Sequence, residues 1–201
     1  FQYPNIPALE HSANFDILIH AATSAVTTIS FQSAQIASEG TDFFYSVDTK
    51  HVSHGQGVVV REVARYMEEN PESTMEEVIR YTEMIREKVQ MSFMPNNLDY
   101  LRAGGRVSNG AAILGNILGL HPCIEIEDGR LMAKKKYRGT MNRVAPKMLK
   151  DFFAKYNLKK EHIYHAAMMD PHTGAQLSID DIVKMCDELY DAHEKAGFPI
   201  L

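Results

Sequence analysis

The sequence predicts an α/β protein built in two parts, and three observations predict it. "FDILIHAA" (15–22) is a continuous apolar run of strand length, as expected for a strand buried on both faces. The segments from 15 to 49 spell strand, helix, strand, for which a parallel crossover is the simplest topology. Beyond residue 89 the character changes. The alternating stretch "HPCIEIEDGRLMAKKK" (121–136) turns at Asp128-Gly129, a strong two-residue hairpin signal. The seam falls near residues 89–98, which divides the chain into a first domain, 1–90, and a second, 91–201.

The elements follow in order. "FQSAQIASEG" (31–40) reads as a helix closed by Gly40, and "FFYSVDT" (43–49) as the second strand. "VVVREVARYMEENP" (58–71) is a helix stopped by Pro71. "STMEEVIRYTEMIREKV" (73–89) opens with a capping box of Ser73 and Glu76. Its Val78, Tyr81, Met84 and Ile85 recur at helical spacing. "QMSFM" (90–94) reads as a strand, Pro95-Asn96-Asn97 as a turn and 98–102 as a short helix. "AAILGNILGL" (111–120) is an apolar helix. After the hairpin, "TMNRVAPKMLKDFFAKY" is a helix whose Pro146 predicts a kink or a late start. A strand at 162–170 and a helix at 178–197 complete the chain.

Composition removes some classes of function. A chain of 201 residues has room for one generous domain or two small ones. The net charge of −5 argues against nucleic acid as the main partner, since phosphate backbones select basic faces. The basic run "KKKYR" (134–138) reads as a solvated strand face, with Arg138 alone singled out. No apolar run approaches the roughly 18 residues of a membrane span, and no signal peptide is recognised; the expected location is the cytoplasm. Cys123 and Cys186 lack metal spacing and are too few for a disulfide framework, so both read as reduced thiols.

Chemistry concentrates at the loops. "TSAVTTIS" (23–30) follows the first strand, and in parallel α/β sheets ligands sit outside the carboxyl ends of strands. A helix N-terminus there offers N–H groups to an anion, with Ser24, Thr27, Thr28 and Ser30 adding hydroxyls; simple helix capping is the alternative. In "VDTKHVSHGQG" (47–57), Asp48 lies at a strand end, while Gly55 and Gly57 lack the Gly-Lys-Ser/Thr ending of a phosphate loop. His51 and His54 have no third ligand nearby and read as solvated or capping residues. "LDYLRAGGRVSNG" (98–110) joins Gly104-Gly105 to Arg106, whose planar fork suits a carboxylate or phosphate; a plain surface turn is the alternative. No nucleophile elbow, zinc-protease motif or suitably paired carboxylates appear. His20, His121, His162 and His165 read as core histidines. Eleven methionines and no tryptophan indicate an adaptable apolar interior. That interior is either packed core or a cavity in which an acyl chain gains roughly 0.8 kcal/mol per buried methylene.

Across "LDYLRAGGRVSNGAAILGNILGLHPCIEIEDGRLMAKKKYRG" (98–139) the sequence resembles the DegV family, the bacterial fatty-acid-binding proteins. The family pattern runs close to L-x-Y-L-x-x-G-G-R-I-S, then an apolar helix, an acidic-Gly hairpin and an Arg-Gly pair. Leu98, Tyr100, Leu101, Gly104, Gly105, Arg106, Val107, Ser108, Pro122, Asp128, Gly129, Arg138 and Gly139 supply it here. "VDTKHVSHGQG" is similar to the family's Asp-Ser/Thr…Ser-x-Gly-x-Gly segment, and "FQSAQIA" to its Tyr-Gln-Ser-Ala helix. The family's head-group loop reads close to Ser-Ser-Gly-Leu-Ser-Gly-Thr. Here Ser24, Ala25, Val26, Thr27, Thr28, Ile29 and Ser30 stand in its place, without the second serine and both glycines. Set against the family pattern, the first domain lacks its N-terminal part and the second its C-terminal part.

The resemblance implies the two-domain DegV-like (EDD) architecture, with a parallel-sheet first domain and a mixed-sheet second domain with helices. It implies one long-chain fatty acid as ligand, with its carboxylate at the domain seam and its tail in the second domain. No cofactor, metal or catalytic residue is expected. Ser24, Thr27, Thr28, Ser30, Arg106 and Arg138 are then the head-group residues. Phe93, Met94, Ile113, Leu114, Ile117, Leu118 and Ile124 are the acyl-chain pocket. Some family members present the acid to a separate ATP-dependent fatty acid kinase subunit, which becomes the expected partner. Two other readings stay open: an enzyme acting on a small carboxylated or phosphorylated substrate, and a protein-interaction module.

Overall fold

The computed structural model describes residues 17–95, 98–106 and 120–156, with four further helical positions at 184, 187, 188 and 191. Those four fall within the helix expected at 178–197. The expected strand at 162–170 lies outside the described residues, as do 111–119 of the expected apolar helix. The chain divides into two compact units. One comprises Phe1–Val89 with Asp128–Arg130, and the other Gln90–Glu127 with Leu131–Leu201.

In the first unit β1 (Leu18–Ala22) and β2 (Phe44–Asp48) pair in parallel, Leu18 opposite Phe44 and Ala22 opposite Asp48. The crossover carries α1 (Ser30–Ala37), as the strand–helix–strand pattern requires. Expected to be buried on both faces, β1 is half-buried except at Ala22. Side chains alternate between its faces. Ile19 packs on the helical core, while the neighbouring His20 stacks on Phe44 and meets the Ser46 hydroxyl at 3.0 Å.

Helix α2 (Ser53–Glu69) starts five residues before the expected position. Glycine disfavours a helix interior by about 1 kcal/mol, yet Gly55 and Gly57 lie in its first turns. Tertiary bonds outweigh that propensity: Gln56 Nε2 donates to the Ala21 carbonyl at 2.9 Å, and the Thr23 hydroxyl donates to Gln56 Oε1 at 2.6 Å. Helix α3 (Met75–Lys88) is capped by Thr74 and Glu77, one residue beyond the expected Ser73 and Glu76. The Ser73 N–H is already bonded to the Asn70 carbonyl at 3.0 Å, closing the turn out of α2, so the Thr74 register prevails. Val59, Val63 and Val78 form the core, with Tyr66 and Tyr81 stacked 4.1 Å apart beside it. Met84, expected on the packed stripe, lies exposed off it.

In the second unit β3 (Ser92–Phe93), β4 (Leu120–Glu127) and β5 (Arg130–Arg138) form a sheet in that order. β3 pairs antiparallel with β4, placing Phe93 opposite Ile124. The expected hairpin forms; its turn, which groups with the first unit, has Asp128 at φ +50° and Gly129 at φ +76°, as a tight primed turn demands of both central residues. Helix α4 (Asp99–Ala103) lies between β3 and β4 in the chain, and α5 (Met141–Lys155) follows β5. Pro146 does not delay α5, which begins five residues earlier. Successive residues of a strand face opposite ways, so two apolar clusters form. Leu98 and Ile124 pack with Phe93, Leu101 and Leu131. Cys123, Tyr137 and Val144 pack with Met94, Met141 and Met148. Phe93 and Met94, expected together in one pocket, therefore belong to different clusters.

Candidate functional site

The first unit gathers its polar groups at the carboxyl ends of β1 and β2. Asp48 ends β2, and its Oδ1 accepts from the Ala25 N–H at 3.1 Å and the Lys50 N–H at 2.9 Å. One carboxylate thus ties the loop after β1 to the loop after β2. The buried Thr49 hydroxyl donates to the Ala22 carbonyl at 2.7 Å. Lys50 and Ser53 sit at φ +55° and +48°, in a left-handed region that non-glycine residues enter at a cost. Arg86 of α3 secures the same corner through a 2.7 Å bond from its guanidinium to the Asp48 carbonyl.

His51 is 4% exposed, and its Nε2 donates to the Arg86 carbonyl at 2.9 Å. Burial, opposed by that bond, holds its imidazole below the ordinary value of 6.5. Burial lowers His20 likewise. Below pH 6.5 the unfolded chain takes up protons that the folded histidines refuse, so stability declines as pH falls. Thermal melts between pH 7.5 and 5 are expected to show this loss, with a shallower slope in His51→Gln. Equal slopes would count against the assignment.

The hydroxyl loop divides into an anchored part and an open part. Ser24 has no exposed surface, and its hydroxyl donates to the Gly129 carbonyl at 2.8 Å. The Thr27 hydroxyl donates to the Ser24 carbonyl at 3.0 Å. The half-buried Thr28 and Ser30 hydroxyls meet each other at 2.8 Å at the start of α1. The helix has no side-chain cap, and its N-cap position is held by Ile29, 78% exposed. Its first intrahelical bond runs from the Ser33 N–H to the Ile29 carbonyl at 2.9 Å. The Phe31 and Gln32 amides precede that bond, at the positions a helix leaves without internal acceptors.

Arg106 and Arg138 belong to the second unit and are exposed. The glycine pair before Arg106 has a local cause. The Arg106 N–H bonds the Leu101 carbonyl at 2.8 Å and the Gly105 N–H bonds the Arg102 carbonyl at 2.9 Å, with Gly105 at φ +71°. This is a Schellman stop for α4, which calls for glycine at that one position. The Arg106 guanidinium bonds back to the Gly104 carbonyl. Lys134 pairs with Glu127, and Lys135 with Asp151, so two lysines of the basic run are ion-paired rather than only solvated.

Cys123 is buried; burial first and Glu125 second push its thiol up to about 11, so it stays protonated and unreactive. It floors a cleft of about 320 Å³ with Tyr137, Met148 and Phe152, rimmed by the Lys135–Asp151 and Lys155–Glu125 pairs. Of the expected acyl-chain residues, Phe93, Met94 and Ile124 are described, while Ile113, Leu114, Ile117 and Leu118 lie outside the described residues, as does Cys186. Among the described residues no group of three or more His, Cys, Asp or Glu is placed to hold a metal ion, and no helix is long and apolar enough to cross a membrane. The sequence missed Gln56, Arg86 and the Gly129 carbonyl as parts of this corner. Their partners lie 35, 38 and 105 residues away, beyond any local signal.

A two-unit α/β protein with an uncapped helix start at the end of a parallel strand is the class these features define. The chain belongs to the DegV family, described as uncharacterised proteins of that name, whose model matches residues 8–197. A fatty acid-binding protein of Thermotoga maritima is 35% identical over 129 residues, covering 63% of this chain and 44% of that protein. The crystal structure of a DegV lipid binding protein from Thermotoga maritima aligns with a TM-score of 0.63 at 27% identity, over 74% of this chain and 51% of that one. The Streptococcus pneumoniae fatty acid kinase B3 protein, solved loaded with linoleic acid, aligns at 0.69 and 18% identity, over 94% and 64%. At that identity the likeness is one of fold. The chain spans about half the length of the first two relatives.

Proposed function

We propose that this protein binds a long-chain fatty acid and holds its carboxylate at the start of α1. The uncapped N-terminus carries this reading. The sequence spends a full capping box on α3 but leaves α1 with Ile29 at the cap, two hydroxyls beside it, and the Phe31 and Gln32 amides toward an incoming anion. A carboxylate there gains charge-assisted hydrogen bonds and the helix dipole together. The relatives whose names include fatty acid or lipid binding support the ligand class. Arg106 and Arg138 are proposed as head-group cations, and the apolar residues of the second unit as the acyl-chain wall.

The protein acts in this reading as a cytoplasmic lipid carrier without cofactor or catalytic residue. A separate ATP-dependent fatty acid kinase subunit is proposed as its partner on the family resemblance, to which the fatty acid kinase B3 protein adds its fold. Denaturing mass spectrometry is expected to find acyl chains co-purified with the protein. Oleate is expected to displace cis-parinaric acid from it, with Thr28→Val/Ser30→Ala weakening oleate at least about tenfold, the loss of one charge-assisted bond or more. A preparation free of lipid that also refuses added oleate would overturn the reading.

A further inference from the structure

The residue that the resemblance makes the first head-group hydroxyl is fully occupied inside the protein. The Ser24 N–H donates to the His51 carbonyl at 2.8 Å. Its carbonyl accepts the Thr27 N–H at 3.0 Å, the Thr28 N–H at 3.2 Å and the Thr27 hydroxyl at 3.0 Å. Its hydroxyl accepts a long bond from the Val26 N–H at 3.4 Å and gives its single hydrogen to the Gly129 carbonyl at 2.8 Å. That carbonyl belongs to the hairpin turn, whose flanking Asp128 meets Lys50 Nζ at 3.2 Å. The turn presses closely here: a Cβ on Gly129 would lie 2.4 Å from Ser24 Oγ.

We infer that Ser24 and Gly129 are positioning residues for the carboxylate site, a role that rests on the fatty-acid reading above. The bond to the turn fixes Ser24, and the Ser24 carbonyl fixes the Thr27 and Thr28 amides. Those amides in turn set where the Thr28 hydroxyl stands against Ser30. Ser24 itself has no hydrogen left for a ligand. The work of recognition passes to Thr28, Ser30 and the first amides of α1, while the turn glycine, 105 residues further on, holds the loop in register.

The test compares oleate with oleyl alcohol, each displacing cis-parinaric acid from the full chain. The tail is shared, so the acid-to-alcohol affinity ratio reports the carboxylate contact alone. Partial unfolding reduces both apparent affinities by the same factor and cancels from the ratio. Ser24→Ala is expected to lower the ratio about fivefold, the worth of a misplaced hydrogen bond. Gly129→Ala, which removes no polar group, is expected to lower it as well. The double variant, in which the Cβ–Oγ overlap is gone, should fall no further than Ser24→Ala. A ratio that drops in Ser24→Ala but stays at the wild-type value in Gly129→Ala would make Ser24 a direct contact and overturn the inference. A ratio unmoved in both variants would overturn it too, while leaving the fatty-acid reading in place. A wild-type protein that binds both ligands equally, or neither, would overturn the carboxylate reading and this inference with it.

Discussion

Gly129→Ala is expected to lower folding stability by about 3 kcal/mol, and Ser24→Ala to restore part of that loss when combined with it. Two costs add in the single variant. At φ +76° an alanine pays the left-handed penalty of about 1–2 kcal/mol. Its methyl group would also stand 2.4 Å from Ser24 Oγ, an overlap no folded protein keeps. The hydroxyl can escape only by rotating off the Gly129 carbonyl, which leaves a buried acceptor unpaired at about 1–3 kcal/mol. Ser24→Ala alone is expected to cost about 1–3 kcal/mol for that unpaired carbonyl. In the Gly129→Ala background the sign reverses: the carbonyl is already unpaired there, and the displaced hydroxyl, buried and without its acceptor, is a cost that Ser24→Ala removes. With Oγ absent, the nearest Ser24 atom to the new methyl is Cβ at 3.5 Å, an ordinary contact. A double-mutant cycle by urea denaturation is therefore expected to show strong positive coupling. Simple additivity of the two losses would show that the turn does not seat on Ser24.

This coupling marks the boundary of what the sequence discloses. Patterns confined to a few residues were legible: the apolar runs that became β1 and β2, the parallel crossover, and the Asp128-Gly129 turn with both residues at positive φ. Each is decided by backbone sterics or side-chain period within one element. Where two local solutions competed, the sequence did not choose correctly. Ser73-Thr74 and Glu76-Glu77 offer two capping registers, and only the bond from Ser73 to Asn70 decides between them. The early start of α2 depends on Gln56 reaching β1, a tertiary bond that overrides glycine's propensity.

The candidate site divides in the same way. Its place, at the carboxyl end of β1, followed from the order of elements. The roles within it did not, because a hydroxyl that anchors a loop and one that faces a ligand look alike in sequence. Ser24 and Thr28 differ by which atoms surround them, and for Ser24 the decisive atom is a backbone carbonyl that no residue type encodes. The glycine pair 104–105 teaches the converse. Its conjunction with Arg106 suggested an anion site, whereas the left-handed Gly105 is explained by the stop of α4 alone. An anion beside Arg106 would be held by the guanidinium charge, not by the glycines that end α4.

Ile124→Ala is expected to cost about 3 kcal/mol in the ligand-free protein, equivalent to a fall in melting temperature of roughly 6–12 °C for a chain of this size. Ile124 is 2% exposed on β4, directly across from Phe93, and closes against Leu98, Leu101 and Leu131. Truncation removes three carbons from a cluster with little freedom to collapse, because β3 and β5 hold β4 from both sides. The resemblance assigns the same residue to an acyl-chain wall, and the two assignments separate in the unliganded state. A core residue loses its packing whether or not lipid is present. A residue that only lines a ligand cavity is already missing contacts when the cavity is empty, and its truncation costs the free protein little. Melting of delipidated Ile124→Ala beside wild type reads the difference directly, with Ile124→Val, expected at about 1 kcal/mol, as the graded control. A loss below 1 kcal/mol in Ile124→Ala would move the residue from the core of the second unit to the wall of its ligand, because only a contact supplied by lipid is absent from both delipidated proteins alike.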